Sequence, residues 1–259
     1  MPEWDGQKFA LIMPWGRVGS NLVVGVLTSI RGVVISNEPT TSLKTLTAGK
    51  PNSQFQADME QTRFMQSWPE VPASSLLQES YESISPILPY GLKLSHRSFV
   101  SPMTIYSILR DRNFRVVRMD RRNHVKSAVS QIRAEQRYRA SGGAAFAIPK
   151  GHERPGPSTL SVRQVVAKTQ MFEKFSSEME SYLAQVVGGS ILECYYEDLL
   201  RTPQDQIRRV ADFLNISLPA KFELAFEKAT SDRLRDDILN YDEVAAALVE
   251  AGYGAYVDP

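Results

Sequence analysis

Cysteine is almost missing from this sequence. Cys194 stands alone among 259 residues, so no disulfide can close within the chain and no zinc site of several thiolates can be built. Histidine is nearly as scarce. His96, His124 and His152 are the only three, and none pairs with another at the short spacings of metal ligands, so no metal is expected. Neither sign of charge dominates: Lys and Arg number 30, Asp and Glu 29, for a formal net charge of +1. That excludes the broad basic field of a nucleic-acid coat or a membrane-surface protein, and any anion site has to be local. Long apolar runs are lacking too. The most apolar region, 22–35, is interrupted by Arg31 and falls well short of the ~20 residues that cross a bilayer. The first ten residues carry Glu3 and Asp5 and have no basic stretch followed by an apolar core, so they do not read as a signal peptide. A cytoplasmic protein without a membrane span is the expectation.

What is present is the make-up of a globular enzyme. Hydrophobic residues are 42% of the chain and charged residues 23%, enough apolar material to build a core and too little charge for disorder. The length suits a single α/β domain over 1–259. Residues 8–13 (KFALIM) form a short apolar run closed by Pro-Trp-Gly, which predicts a buried strand. Ser20 is placed to cap a helix over about 21–30. Strands are predicted at 33–36, 92–94, 114–119 and 190–195, the last as a buried strand. Helices are predicted from Ser101-Pro102, over about 123–139, over 160–187, and from Thr202-Pro203 to Leu214. Strands alternating with helices predict a parallel sheet covered on both faces. Residues 40–90 and the Gly/Pro-rich stretch 141–158 are long connections, the kind that carries specificity.

Two constellations carry chemistry. The first is Gly16-Arg17-Val18-Gly19-Ser20-Asn21, followed by Leu22, between a predicted strand and a predicted helix. Such a turn aims backbone N–H groups and the positive helix end at one spot. Arg17 adds a permanent forked cation, Gly19 allows close approach of a ligand, and Ser20 offers a hydroxyl. The pattern is a cradle for phosphate or sulfate; the plainer reading is a tight turn with a solvated arginine. It is not a Walker A loop, because no Gly-Lys-Ser/Thr follows, and Gly49-Lys50-Pro51 lacks both the upstream glycine and the hydroxyl that would hold magnesium. The second constellation is the stretch 116–130, VVRMDRRNHVKSAVS. Arg118, Arg121 and Arg122 gather where a strand passes into a helix, and Ser130 lies two turns further on. Cations at a helix start oppose the helix dipole, which is easier to understand if they hold an anion.

Arg17-x-Gly19-Ser20 after a first strand resembles the 5′-phosphosulfate loop of sulfotransferases that use PAPS (3′-phosphoadenosine 5′-phosphosulfate). Arg122 followed eight residues later by Ser130 resembles their 3′-phosphate motif. Further stretches are similar to the bacterial carbohydrate branch of trehalose and Nod-factor type: Asn37-Glu38-Pro39, where relatives have Gly-Glu-Pro; Gly91-Leu92-Lys93-Leu94; Tyr196-Glu197-Asp198-Leu199-Leu200; and Asn240-Tyr241-Asp242-Glu243. Together they cover nearly the whole chain in the family's order. The resemblance implies a P-loop-like three-layer α/β fold and sulfuryl transfer from PAPS, as co-substrate and without a metal, to a hydroxyl of a small acceptor such as a glycan or glycolipid.

It also implies roles. Arg17 and the backbone of Val18, Gly19, Ser20, Asn21 and Leu22 hold the 5′-phosphosulfate, with Arg17 stabilising the leaving phosphate. Arg122 and Ser130 hold the 3′-phosphate. Glu38 is the base that takes the acceptor proton, with His96 as rival, and Lys93 and His96 line the acceptor side. Each has a plainer reading: an exposed turn residue for Glu38, a loop histidine for His96, an edge-strand lysine facing water for Lys93. Tyr196 and Glu197 read as braces between loops, Trp15 as packing beside the loop, and Cys194 as a small buried residue. Gln54, Gln56, Gln61, Trp68, Tyr81 and Tyr90 suit a sugar site or ordinary surface equally. The alternatives to a sulfotransferase are a P-loop nucleotide phosphotransferase, which the absent Gly-Lys-Ser/Thr opposes, and a non-catalytic nucleotide-binding module. The sequence does not disclose the oligomeric state.

Overall fold

The computed structural model describes residues 8–40, 53–67, 89–141, 148–149, 155–187, 191–224, 226–227, 230–231 and 233–258. Five strands form one parallel sheet: β1 Lys8–Met13, β2 Val34–Asn37, β3 Tyr90–Ser95, β4 Arg115–Asp120 and β6 Ile191–Tyr195, in the order β2-β3-β1-β4-β6. A two-residue strand β5, Ile148–Pro149, pairs antiparallel with β7, Phe226–Glu227. The helices are α1 Ser20–Thr28, α2 Ser53–Ser67, α3 Pro102–Asp111, α4 His124–Ser141, α5 Val162–Tyr182, α6 Tyr196–Arg201, α7 Pro203–Phe213 and α8 Tyr241–Glu250. This is the α/β fold that the alternation of patterns predicts. Among the described residues no helix is long and apolar enough to cross a membrane.

The sheet is apolar on both faces because its inner strands are near-continuous buried runs whose side chains point alternately to either side. Phe9, Leu11 and Met13 of β1 and Val117 and Met119 of β4 pack with Val23, Val26 and Leu27 of α1 and Ile207 and Val210 of α7. Ala10, Ile12, Leu92, Leu94 and Val116 point the other way, onto Ile105, Tyr106 and Leu109 of α3 and Met179 of α5. Burying each large side chain contributes roughly 1.5–3 kcal/mol. The central strand β1 is therefore firmly held, and so is the loop that leaves its carboxyl end. Gly91 faces Phe9 across the ladder, and a Cβ at Gly91 would run into the Phe9 ring. A third apolar cluster joins Val125, Val129 and Ile132 of α4 to Leu160 and to Leu234, Ile238, Val244 and Leu248 near the C-terminus. Arg133 fastens it, ion-paired with Asp237 in the interior and donating to the carbonyls of Pro155 and Gly156. Asn240 adds a two-way clamp, accepting from Leu160 N–H at 2.9 Å and donating to Leu160 O at 2.9 Å.

Two local expectations are corrected, and the plainer reading of Lys93 is excluded. Ser20 is the first residue of α1 rather than its cap: Gly19 takes the cap position in the left-handed region, and Ser20 Oγ donates inward to Met13 Sδ at 3.3 Å. Strand β6 is a half-buried edge strand in which only Cys194 is buried, because among the described residues no strand lies beyond it. Lys93 is not an edge lysine, since β3 runs between β2 and β1 and the residue is 4% exposed. The connections singled out as long, 40–90 and 141–158, lie mostly outside the described residues, as do Trp68, Tyr81, His152 and Gly49-Lys50-Pro51.

Candidate functional site

The chain leaves β1, crosses to β2 and β3 on one side, then to β4 and β6 on the other. The crevice at the carboxyl end of β1 is thus the switch point where parallel sheets place ligands. The loop 14–19 sits there. Arg17 has φ 65° and Gly19 φ 77°, so the chain makes two left-handed turns before α1 begins. A helix start leaves its first N–H groups pointing along the axis, towards this crevice. The side chains of Val18 and Leu22 turn into the core, so these two residues can serve an anion through their backbone alone.

Among the described residues, four that are not glycine have positive φ: Arg17, Glu38, Asn113 and Asn215. The asparagines occupy turns after helices, an ordinary place for that residue. Arg17 and Glu38 are the other two, and a left-handed backbone in a residue of that kind costs about 1–3 kcal/mol and concentrates at functional sites.

Glu38 follows the last residue of β2. Its N–H donates to Lys93 O at 2.9 Å, prolonging the ladder by one bond, and the left-handed turn then ends the strand. Its Oε1 lies 2.9 Å from Lys93 Nζ, and the same ammonium donates to Asn21 Oδ1 at 2.8 Å. Three residues from the carboxyl ends of two strands and the start of α1 are thereby joined. Lys93 can reach Asn21 because it shares the α1 face of β3 with Gly91, while Leu92 and Leu94 face α3.

Across β1, Arg17 Nε donates to Ser130 Oγ at 2.9 Å. The two constellations, 113 residues apart in sequence, therefore meet. Burial and the like charges of Arg137 and Arg121 bring the Arg17 guanidinium down to about 10. The basic cluster at the β4–α4 junction divides three ways. Arg118 is buried and ion-paired with Asp120, Glu180 and Glu193, so it braces the sheet edge. Arg121 is buried with its guanidinium 4.4 Å over the Tyr196 ring. Arg122 is exposed, 2.9 Å from Asp198 and 4.0 Å over the Tyr195 ring. Glu197 accepts from the N–H groups of Arg122 and Asn123 at 3.1 Å, holding the turn ahead of α4, and Asn123 Oδ1 caps the helix by accepting from Lys126 N–H at 2.9 Å. Tyr196 packs against Gly19, whose absent Cβ would stand 3.0 Å from the ring. The brace role read for Tyr196 and Glu197 is what these contacts perform.

His96 is not brought into either group. It is buried, with Nδ1 2.9 Å from Tyr106 Oη and Nε2 3.6 Å from Glu178, enclosed by Phe99, Tyr106, Phe175 and Tyr182. Burial lowers its pKa, against the pull of Glu178. Trp15 stacks on Phe172 at 4.9 Å, and Arg97 covers it at 4.0 Å, so it packs the base of the loop. Gln61, offered by its type as a surface or sugar contact, is buried and committed to the backbone of Thr40, Ser98 and Val100. Burial raises the Cys194 thiol to about 11, which favours its neutral form. Arg137 escaped notice in the sequence. Its signal was there: it stands seven residues after Ser130, two helical turns along one face. Among the described residues no group of three His, Cys, Asp or Glu could hold a metal ion.

A family model described as a sulfotransferase domain matches residues 40–242. That span contains Lys93, Arg122 and Ser130; the 14–19 loop and Glu38 precede it. No curated protein sequence matches the chain. Among solved structures it is similar to a sulfotransferase from Alicyclobacillus acidocaldarius, at 12% identity and a TM-score of 0.52, over 98% of either chain. It is also similar to the sulfotransferase domain of the olefin synthase of Synechococcus PCC 7002, at 13% identity and a TM-score of 0.45, over 100% of this chain and 98% of that one. The first likeness is one of fold.

Proposed function

Since the chain belongs to the sulfotransferase domain family, we propose that it moves a sulfuryl group from PAPS to a hydroxyl of a small acceptor, in a single domain with its site at the carboxyl end of β1. The observation that carries this reading is the hydrogen bond from Arg17 to Ser130. It joins a loop suited to a 5′-phosphosulfate to a helix face suited to a second phosphate, and a nucleotide with both is the donor such a pair would select.

In this reading the acceptor oxygen attacks sulfur in line as the bond from sulfur to the bridging phosphate oxygen breaks. The acceptor proton passes to the Glu38 carboxylate, and the products are a sulfate ester and adenosine 3′,5′-bisphosphate. The chain's task is positioning and charge stabilisation. Arg17 and the N–H groups at the start of α1 offset the charge that grows on the departing phosphate. Lys93 fixes Glu38 and Asn21 to one another and places an ammonium where the sulfuryl oxygens would pass. Glu38 is favoured over His96 as base because it stands at the sheet's carboxyl edge, a third exposed, whereas His96 is walled in by aromatic rings. The acceptor is read as a carbohydrate on the likeness of Asn37-Glu38-Pro39 and Gly91-Leu92-Lys93-Leu94 to that branch, with 40–90 and 141–158 framing its site.

Thermal shift tests the donor assignment. Adenosine 3′,5′-bisphosphate should raise the melting temperature clearly, and ATP with magnesium much less. Equal shifts, or none with either nucleotide, would refute it.

A further inference from the structure

The buried stripe of α2 is Ala57, Gln61 and Met65, four residues apart and so on one face. Its centre is an amide rather than an apolar side chain. An amide buried without partners is costly, and Gln61 meets its demand with backbone alone. Nε2 donates to Thr40 O at 2.8 Å and to Ser98 O at 2.9 Å, and Oε1 accepts from Val100 N–H at 3.1 Å. One side chain thus spans two segments, the turn after β2 and the loop 96–100 after β3. Thr40 is fully buried as well, its hydroxyl 2.8 Å from Ser98 Oγ. The single Ser98 hydroxyl hydrogen goes to Ser95 O at 2.6 Å, so Thr40 is the donor of that pair. Both segments serve the site. Thr40 stands two residues beyond Glu38, whose left-handed backbone, φ 52°, persists only where its surroundings over-determine it. Lys93 fixes Glu38 from the side of β3, and the Thr40 anchor fixes the chain as it leaves. The second segment supports the anion loop: Arg97 N–H donates to Pro14 O at 3.0 Å, and Ser95 Oγ to Trp15 O at 3.2 Å. Gln61 is therefore the junction between the turn that carries the carboxylate and the strand end that carries the loop 14–19.

We propose that Gln61 is a positioning residue for the transfer: through Thr40 and Ser98 it sets the Glu38 carboxylate against the anion loop, so that base and donor are in register before an acceptor arrives. The proposal rests on the reading of Glu38 as base given above. An apolar side chain of the same length would fill the stripe of α2 equally well. Three directional hydrogen bonds do what packing does not, which is to fix two backbone segments relative to one another. Misplacement of a reacting group by a fraction of its contact distance is enough to slow the reaction.

Two measurements on the full chain test it. Gln61→Met keeps the length and removes the three bonds; Thr40→Val removes only the hydroxyl link and serves as the milder variant should the first fold poorly. Amide hydrogen exchange reads the anchor directly and needs no acceptor. Protection of Glu38 N–H should fall about tenfold or more in Gln61→Met and several-fold in Thr40→Val, with β1 and β4 unchanged. Sulfate release from labelled PAPS, with water as the acceptor, reads the consequence. Turnover should fall about tenfold in Gln61→Met while adenosine 3′,5′-bisphosphate binds as it does to wild type. The same change made on top of Glu38→Gln should cost nothing further, because no base is left to misplace. Unchanged protection at Glu38, or an equal loss of turnover in the two backgrounds, overturns the proposal and leaves the reading of Glu38 standing. A Glu38→Gln chain as active as wild type overturns that reading and this proposal with it.

Discussion

The ammonium of Lys93 lies 2.9 Å from Glu38 Oε1, and the Lys93 backbone oxygen accepts from Glu38 N–H at the same distance. One residue of an interior strand thus holds another by backbone and by side chain. The left-handed turn at Glu38, φ 52°, ends β2 while these two bonds keep the carboxylate over β3. The strain of that turn is offset by an ion pair whose lysine is buried. The carboxylate is therefore fixed in position before any acceptor arrives.

From this pair follows the first expectation. In a screen of hydroxyl acceptors with labelled PAPS, Glu38→Gln should lower turnover by about 10²–10⁴-fold, the usual contribution of a general base, while adenosine 3′,5′-bisphosphate still binds. Lys93→Met should also lower turnover, and should cost about 1–3 kcal/mol of stability in a denaturant titration as Glu38 and Asn21 lose their shared donor. Loss of nucleotide binding in Glu38→Gln would make that residue structural.

Gly91 is required by the Phe9 ring that covers it. Gly91→Ala forces a methyl group into the ring and should destabilise the protein by about 1–3 kcal/mol, the range for overpacking. The double variant Phe9→Leu with Gly91→Ala should be less affected than the sum of the single changes. Strict additivity in chemical denaturation would contradict the packing described.

The Arg133–Asp237 pair is almost wholly buried, at 2% and 4% side-chain exposure. Asp237→Asn leaves the guanidinium charge uncompensated inside and should cost about 3–5 kcal/mol, read as a lower urea midpoint. Arg133→Met combined with Asp237→Leu should recover part of that loss, because the interior then holds no lone charge.

His96 makes stability depend on pH. Its folded pKa is depressed by burial, with Glu178 opposing, from the ordinary value of 6.5. The unfolded chain therefore takes up a proton at a pH where the folded chain does not. The neutral ring's contribution is complete above about 6.5 and declines as pH falls from there towards the folded value. Melting temperature should fall over that window in wild type and fall less in His96→Gln. The ring faces Tyr106, Tyr182 and Glu178, so parallel curves for the two proteins would assign the dependence to other groups.

The local pattern reported the sheet well. Apolar runs bounded by Pro, Gly and polar residues placed β1 at both ends and put β3 and β4 within a residue or two. The same local reading failed at Ser20, because a serine before a helix can cap only if the residue ahead of it does not already take the left-handed turn, and Gly19 does. It failed at β6 because edge or interior status depends on what lies beyond a strand. Gln61 and His96 misled for a similar reason: a polar residue type announces exposure, and only the packing of α2, α3 and α5 shows that both are enclosed.

By itself the sequence determined the alternation of strands and helices, the glycine-arginine loop after β1, and the presence of a second cationic segment ending in a serine. These follow from periodicity, turn chemistry and residue type, which are local. Only the tertiary structure decided which of those groups meet. Arg17 finds Ser130 across 113 residues; Lys93 reaches both Glu38 and Asn21; and of three neighbouring arginines one braces the sheet, one lies buried on the Tyr196 ring and one faces solvent. The order of strands in the sheet sets those encounters, through contacts between residues far apart in the chain that no local pattern records.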